Sequence, residues 1–289
     1  MLQCSITEFF VQCNIGFPER IPWLPEKTVK IGCIIEKTGL FFDHIEDSSK
    51  VAMPLNPNMQ EDATRLRAKP MSNHIAIRRT LVGILIFDQV EVLDFAGPFE
   101  VFATTRLDES RRAETESPFD IRLIAEHRRP ITTTGGMMVV PHHDFTDCPE
   151  LDILVVPGGK GARREINNPV LMNWIRDRSD GFSLLAGVCT GAMLLGKAGL
   201  LDGLRATTHW RSLNWMRDSF PAVMVVEDEF VVDAGSVITS AGISAGIDMA
   251  LQLVLRYHGQ DVARAAARYM EYPFPENSRR RILEGLTQS

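Results

Sequence analysis

The 289-residue chain has no C-x-x-C pair, no histidine spaced with cysteine as a zinc site requires, and no surplus of positive charge. Its cysteines, Cys4, Cys13, Cys33, Cys148 and Cys189, are odd in number and read as reduced thiols of a cytosolic compartment. Lys and Arg number 31 against 37 Asp and Glu, a net charge of −6, so the electrostatic footprint of a general nucleic-acid binder is missing. No apolar run reaches the roughly 18 residues of a membrane span. The first ten residues lack the basic start and long apolar core of a signal peptide. Internal repeats and low-complexity tracts are absent, and 45% hydrophobic with 24% charged residues is an ordinary globular composition. The reading is a soluble cytoplasmic protein with neither nucleic-acid nor membrane partners.

Texture divides the chain in two. Residues 1–78 are interrupted by Pro18, Pro22, Pro25, Pro54, Pro57 and Pro70, and Ser49 to Arg67 is polar without a sustained period. Val29 to Ile35 and Gly39 to Phe42 are short apolar stretches with no obvious partner there. This segment is expected to be an extension that packs loosely or not at all; a small lobe over one sheet edge is the other reading. Met71 is a plausible alternative translation start.

Residues 79–289 alternate short β-rich runs with helical patterns. Leu81-Val-Gly-Ile-Leu-Ile-Phe87 and Leu151-Asp-Ile-Leu-Val-Val156 are runs suited to strands buried on both faces. Phe119 to Ala125, Gly136 to Val140 and Phe182 to Ala186 read as further strands, and Phe230 to Thr239 as a hairpin turning at Asp233-Ala-Gly-Ser236. Helices are expected from Gly97-Pro98 onward, with Pro in the first turn. Others should cover Val170 to Arg178, Thr190 to Lys197, Ala245 to Tyr257 and Asp261 to Met270. The alternation predicts an α/β fold with a doubly wound, mostly parallel sheet flanked by helices.

In such a sheet, ligands bind outside the carboxyl ends of the strands. Three segments should converge there. Gly187-Val-Cys-Thr-Gly191 is the thiol form of the G-x-S-x-G elbow, whose glycines permit a sharp turn with the central side chain exposed. Cys189 would then be a nucleophile at a helix amino terminus that favours its thiolate; a buried structural cysteine is the bland reading. Val156-Pro-Gly-Gly159 would aim the N–H groups of Gly158 and Gly159 at a substrate and, with Thr190, form an oxyanion-type site. Asp94, in Leu93-Asp-Phe-Ala-Gly-Pro98, is either a helix N-cap or a carboxyl that passes a proton near Cys189. His209, in Arg205-Ala-Thr-Thr-His-Trp210, reads as structural near the site. No H-x-E occurs late in the chain, so a Cys-His-acid triad has little support.

These segments in this order resemble the ThiJ/PfpI superfamily, similar to class I glutamine amidotransferases, over roughly Thr80 to Phe274. Phe145-Thr-Asp-Cys-Pro149, Gly199-Leu-Leu-Asp-Gly203, Gly242-Ile-Ser-Ala-Gly-Ile-Asp248 and Met270-Glu-Tyr-Pro273 add to the likeness. Within the superfamily the chain looks most like the isonitrile hydratases. That resemblance implies a flavodoxin-like fold, Cys189 as nucleophile, Asp94 as essential carboxylate, and Thr190 and Gly159 in supporting positions. It also implies addition of water to an isocyanide to give an N-substituted formamide, no metal or organic cofactor, and a homodimer. The same domain resembles the sensory half of AraC-type transcription regulators, which would make it a small-molecule sensor. Fewer than twenty residues follow Pro273, too few for the DNA-binding half expected in those regulators. Thr190 where peptidase-like relatives carry His disfavours that class.

Overall fold

The computed structural model describes residues 78–279. Expectations for residues 1–77, including the two short apolar stretches, the loose extension and the first three cysteines, lie outside the described residues.

A seven-stranded sheet organises the rest. Its strands are β1 (Thr80–Leu85), β2 (Phe119–Ala125), β5 (His143–Asp144), β6 (Ile153–Val156), β7 (Leu184–Val188), β10 (Val231–Asp233) and β11 (Val237–Ser240), in the order β10-β11-β7-β6-β1-β2-β5. All neighbours run parallel except β10 and β11, the expected hairpin. The apolar runs behave as their composition dictates: every residue of β6 and β7 is buried. Each such Val, Leu or Ile contributes about 1.5–3 kcal/mol by leaving water.

Two small pairs lie apart from this sheet. β3 (Ile131–Thr132) pairs antiparallel with β4 (Met138–Val139), and β8 (Arg205–Ala206) pairs with β9 (Met224–Val225). The strand expected at Gly136 to Val140 is therefore half of a separate hairpin. The strand expected at Phe182 to Ala186 begins two residues later, because Ser179–Gly181 forms a 3-10 turn ahead of it.

Helices α1 (Val92–Thr104), α2 (Ala162–Glu165), α3 (Pro169–Arg178), α4 (Gly191–Lys197), α5 (Leu213–Ser219), α6 (Ala245–His258) and α7 (Gln260–Tyr269) complete the unit. The helix placed at Gly97-Pro98 instead starts at Val92, and Pro98 lies inside it. Its N-cap, Glu91, is extended and makes no side-chain capping bond, so the usual start signal is missing from the sequence. Pro98 has no N–H to offer the Asp94 carbonyl one turn earlier. Asp94 itself is in the first helical turn, past the cap.

Chain order creates the crevice. From β1 the chain moves outward to β2 and β5, then returns to β6 on the other side of β1. The carboxyl ends of β1 and β6 thus flank a topological switch point, where ligands of open α/β sheets bind. Helices α1 and α6 pack closely beside it: a Cβ on Gly97 would lie 2.9 Å from Ile247 Cγ1.

Candidate active site

Four strand ends feed this crevice. Asp94 follows β1, Pro157-Gly-Gly159 follows β6, Cys189 follows β7, and Gly242-Ile243 follows β11. The thiol of Cys189 and the carboxyl of Asp94 are neighbours close enough to interact electrostatically.

The elbow is real, but its strain sits on the cysteine. Cys189 has φ +57°, a left-handed backbone costing an L-residue about 1–2 kcal/mol. Its N–H donates to the carbonyls of Ser240 (3.1 Å) and Ala241 (3.2 Å), and its carbonyl accepts from Thr208 Oγ1 at 2.7 Å. Gly191 serves close approach: a Cβ there would stand 1.9 Å from the Val156 carbonyl oxygen. The glycine lets α4 start directly against the end of β6.

Asp94 is fully buried, and both its oxygens accept main-chain N–H groups. Gly158 N–H reaches Oδ2 at 3.1 Å and Ile243 N–H reaches Oδ1 at 3.0 Å. Burial outweighs these bonds and raises the carboxyl to about 7, with the nearby Glu91 charge pushing the same way. The acid therefore titrates near neutrality, where a group that both gives and takes protons is most effective.

The thiol departs from the sequence expectation. A helix amino terminus was expected to favour the thiolate, and the Thr190 N–H and hydroxyl do so. Burial and the Asp94 carboxyl together push the thiol well above its ordinary value. Seven residues of helix and two donors do not offset burial beside an acid. Cys189 therefore requires a proton acceptor, and Asp94 is next to it.

The glycine loop also departs from expectation. The Gly158 N–H is engaged with Asp94, and the Gly159 N–H donates to Thr190 Oγ1 at 3.0 Å. Neither is turned toward a substrate, so the oxyanion-type reading of these two residues loses its donors. The Thr190 N–H does lie beside the sulfur. Gly158 is needed for space: its Cβ would sit 2.5 Å from both Thr190 N and Oγ1.

His209 accepts the Arg211 N–H on Nδ1 at 3.3 Å, capping the 3-10 turn Trp210–Ser212. Its ring packs on Gly242, where a Cβ would lie 2.2 Å from His209 Cδ2 and 3.3 Å from Cys189 Sγ. Sequence reasoning missed the parts played by Ile243 and Thr208. The segments holding them were noticed, but a backbone N–H carries no signature of residue type. Among the described residues, no group of three or more His, Cys, Asp or Glu could hold a metal ion, and no helix is long and apolar enough to cross a membrane. A cavity of about 460 Å³ beside Phe87, Asp88, Glu126 and Leu171 is not lined by Cys189 or Asp94.

A parallel α/β sheet with a cysteine elbow facing a buried acid defines a class of proteins. The profile of the DJ-1/PfpI family matches residues 80–256, and the chain belongs to that family. An isonitrile hydratase of Pseudomonas putida is 35% identical over 203 residues, covering 68% of this chain and 82% of the relative. The HTH-type transcriptional regulator CdhR of Pseudomonas aeruginosa is 36% identical over 134 residues, 46% of this chain and 39% of the regulator. Among solved structures, a ThiJ/PfpI family protein from Pseudomonas syringae aligns at a TM-score of 0.59 with 27% identity, covering 80% of this chain and 86% of that one.

Proposed function

We propose that the protein is a cysteine-dependent hydro-lyase of the isonitrile hydratase type, converting an isocyanide to an N-substituted formamide. The observation that carries this reading is the buried pair of Cys189 and Asp94, a high-pKa thiol against an acid that titrates near 7. Such a pair suits an isocyanide, whose terminal carbon needs a proton and a nucleophile at the same atom.

Asp94 in its protonated form gives its proton to the isocyanide carbon. The Cys189 sulfur forms a bond to that carbon, and one C–N π pair becomes the nitrogen lone pair. The thiol proton returns to the Asp94 carboxylate. The product is a thioimidate, R–N=CH–S–Cys. Water then adds across C=N, its oxygen going to carbon and a proton to nitrogen. Collapse of the adduct breaks the C–S bond, the hydroxyl proton passes through Asp94 to sulfur, and R–NH–CHO leaves. The first addition leaves the electron pair on a neutral nitrogen and develops no oxyanion, which agrees with the engagement of the Gly158 and Gly159 N–H groups elsewhere. Thr190 and its N–H support the sulfur, and His209 holds the wall behind it. The resemblance also carries a homodimer into this proposal, with the cytoplasm as its compartment and no cofactor.

A second reading, a small-molecule-sensing domain, is supported by the match to part of CdhR. One experiment separates the two. Purified protein is given cyclohexyl or aryl isocyanide without added metal, and formamide is followed by chromatography. The hydratase reading expects turnover, its loss in Cys189→Ala, a fall of about 100-fold or more in Asp94→Asn, and a mild effect of His209→Gln. Turnover unchanged in Cys189→Ala overturns the mechanism. No turnover with any isocyanide, together with saturable binding of a small metabolite, establishes the sensor.

A further inference from the structure

We propose that Thr208 is a positioning residue for the Cys189 nucleophile, an inference that rests on the role of Cys189 proposed above. The direction of the sulfur follows from the left-handed backbone of Cys189, and that conformation is fixed only if both flanking peptide groups are held. The amino side is held by main chain, through the Ser240 and Ala241 carbonyls at the end of β11. On the carboxyl side the Ala192 N–H reaches the Cys189 carbonyl at 3.3 Å, while the Thr208 hydroxyl reaches it at 2.7 Å. The short bond comes from a side chain, and Thr208 is fully buried.

The segment around Thr208 is itself anchored. The Thr207 N–H donates to Thr239 Oγ1 at 2.9 Å, tying the run after β8 to β11. His209 then packs its ring on Gly242 beside the sulfur. The Thr-Thr-His run thus forms a wall behind the elbow: Thr207 fixes it to the sheet, Thr208 grips the cysteine carbonyl, and His209 fills the space beyond. The Thr208 hydroxyl gives the Cys189 carbonyl the shorter of its two bonds, 2.7 Å against 3.3 Å from the Ala192 N–H, and so sets its direction most tightly.

Full-length T208V, which keeps the shape without the hydroxyl, is compared with T208S, which keeps the hydroxyl without the methyl. Two readouts are taken: kcat and KM with cyclohexyl isocyanide, and the pH profile of Cys189 alkylation by iodoacetamide. Positioning expects kcat of T208V to fall roughly 10- to 100-fold, as small misplacements of reacting groups do, with KM little changed. It expects T208S to stay within about threefold of the parent by the same reasoning. The alkylation profile of T208V should shift and that of T208S should overlay the parent. Thr208→Ala replaces T208V if the latter lacks a cooperative transition. The proposal is overturned if the hydroxyl-free variant matches the parent in both readouts. It is also overturned if T208S fails as badly, with an equal loss of thermal stability, because the methyl would then be the essential part. If the parent converts no isocyanide, the hydratase reading falls and the alkylation profiles alone decide the role of Thr208.

Discussion

The main-chain N–H of Ile243 donates to Asp94 Oδ1 across 149 positions of sequence, at 3.0 Å. This bond joins the first turn of α1 to the loop that leads into α6. The candidate acid is thus tied to both helices that flank the crevice.

Stability should report the buried proton. Asp94 is raised from 3.8 to about 7, mainly by burial. Between those values the folded protein keeps a proton that the unfolded chain releases, so stability falls as pH rises through the window and levels off above it. The full penalty is about 4 kcal/mol at most. Asp94→Asn should flatten this dependence. At low pH the variant should be less stable than the parent by roughly 1–3 kcal/mol, since one amide oxygen faces two N–H donors. Calorimetry from about pH 4 to 8 tests both; an unchanged slope would assign the proton to another group.

Alkylation should find Cys189 slow at neutral pH. Burial and the adjacent acid raise its pKa, so little thiolate is present there. Labelling should accelerate above pH 8, and Asp94→Asn should speed it by removing the negative charge. Mass spectrometry after brief iodoacetamide exposure reads the site. Rapid labelling of the parent at pH 6 would restore the low-pKa expectation from the helix terminus.

Gly158→Ala should disable the centre while leaving the sheet intact. The new Cβ would stand 2.5 Å from Thr190 N and Oγ1 and 3.0 Å from Asp94 Oδ2, so the loop must move. We expect about 1–3 kcal/mol of destabilisation from overpacking and a loss of turnover of about 100-fold or more from displaced groups. Circular dichroism and formamide assays check the two parts. Full activity would mean that the loop is free to shift.

A chain starting at Met71 should keep a cooperative transition. The described core runs from Val82 to Ala267 and includes the seven-stranded sheet. Chemical denaturation of the shortened protein tests this. Insolubility or a lost transition would place residues 1–70 within the folding unit.

The buried strands were legible because Leu151 to Val156 is apolar almost throughout, and such a run has few other fates. The elbow was legible too, since Gly-x-Cys-x-Gly at a strand end has a steric meaning. The start of α1 was not. Pro98 is a strong local signal for a first turn, whereas Glu91 caps nothing with its side chain, so the expected start falls five residues late, at Gly97 rather than Val92. The charge state of Cys189 was misread for a related reason: a helix terminus and a carboxyl near the thiol show in sequence, but the burial that outweighs the helix terminus does not. Contacts through backbone groups, as at Ile243 and Gly158, leave the least trace of all.

Main-chain anchoring of Asp94 also bears on how this centre can be altered. The two groups holding the carboxyl belong to the peptide backbone, so no single side-chain deletion removes either. The Ile243 side chain, 43% exposed, is not what holds the acid. Substitutions at position 243 should then leave the acid in register. Residues that accept a positive φ, glycine and asparagine foremost, should be the best tolerated there, because Ile243 itself has φ +60°.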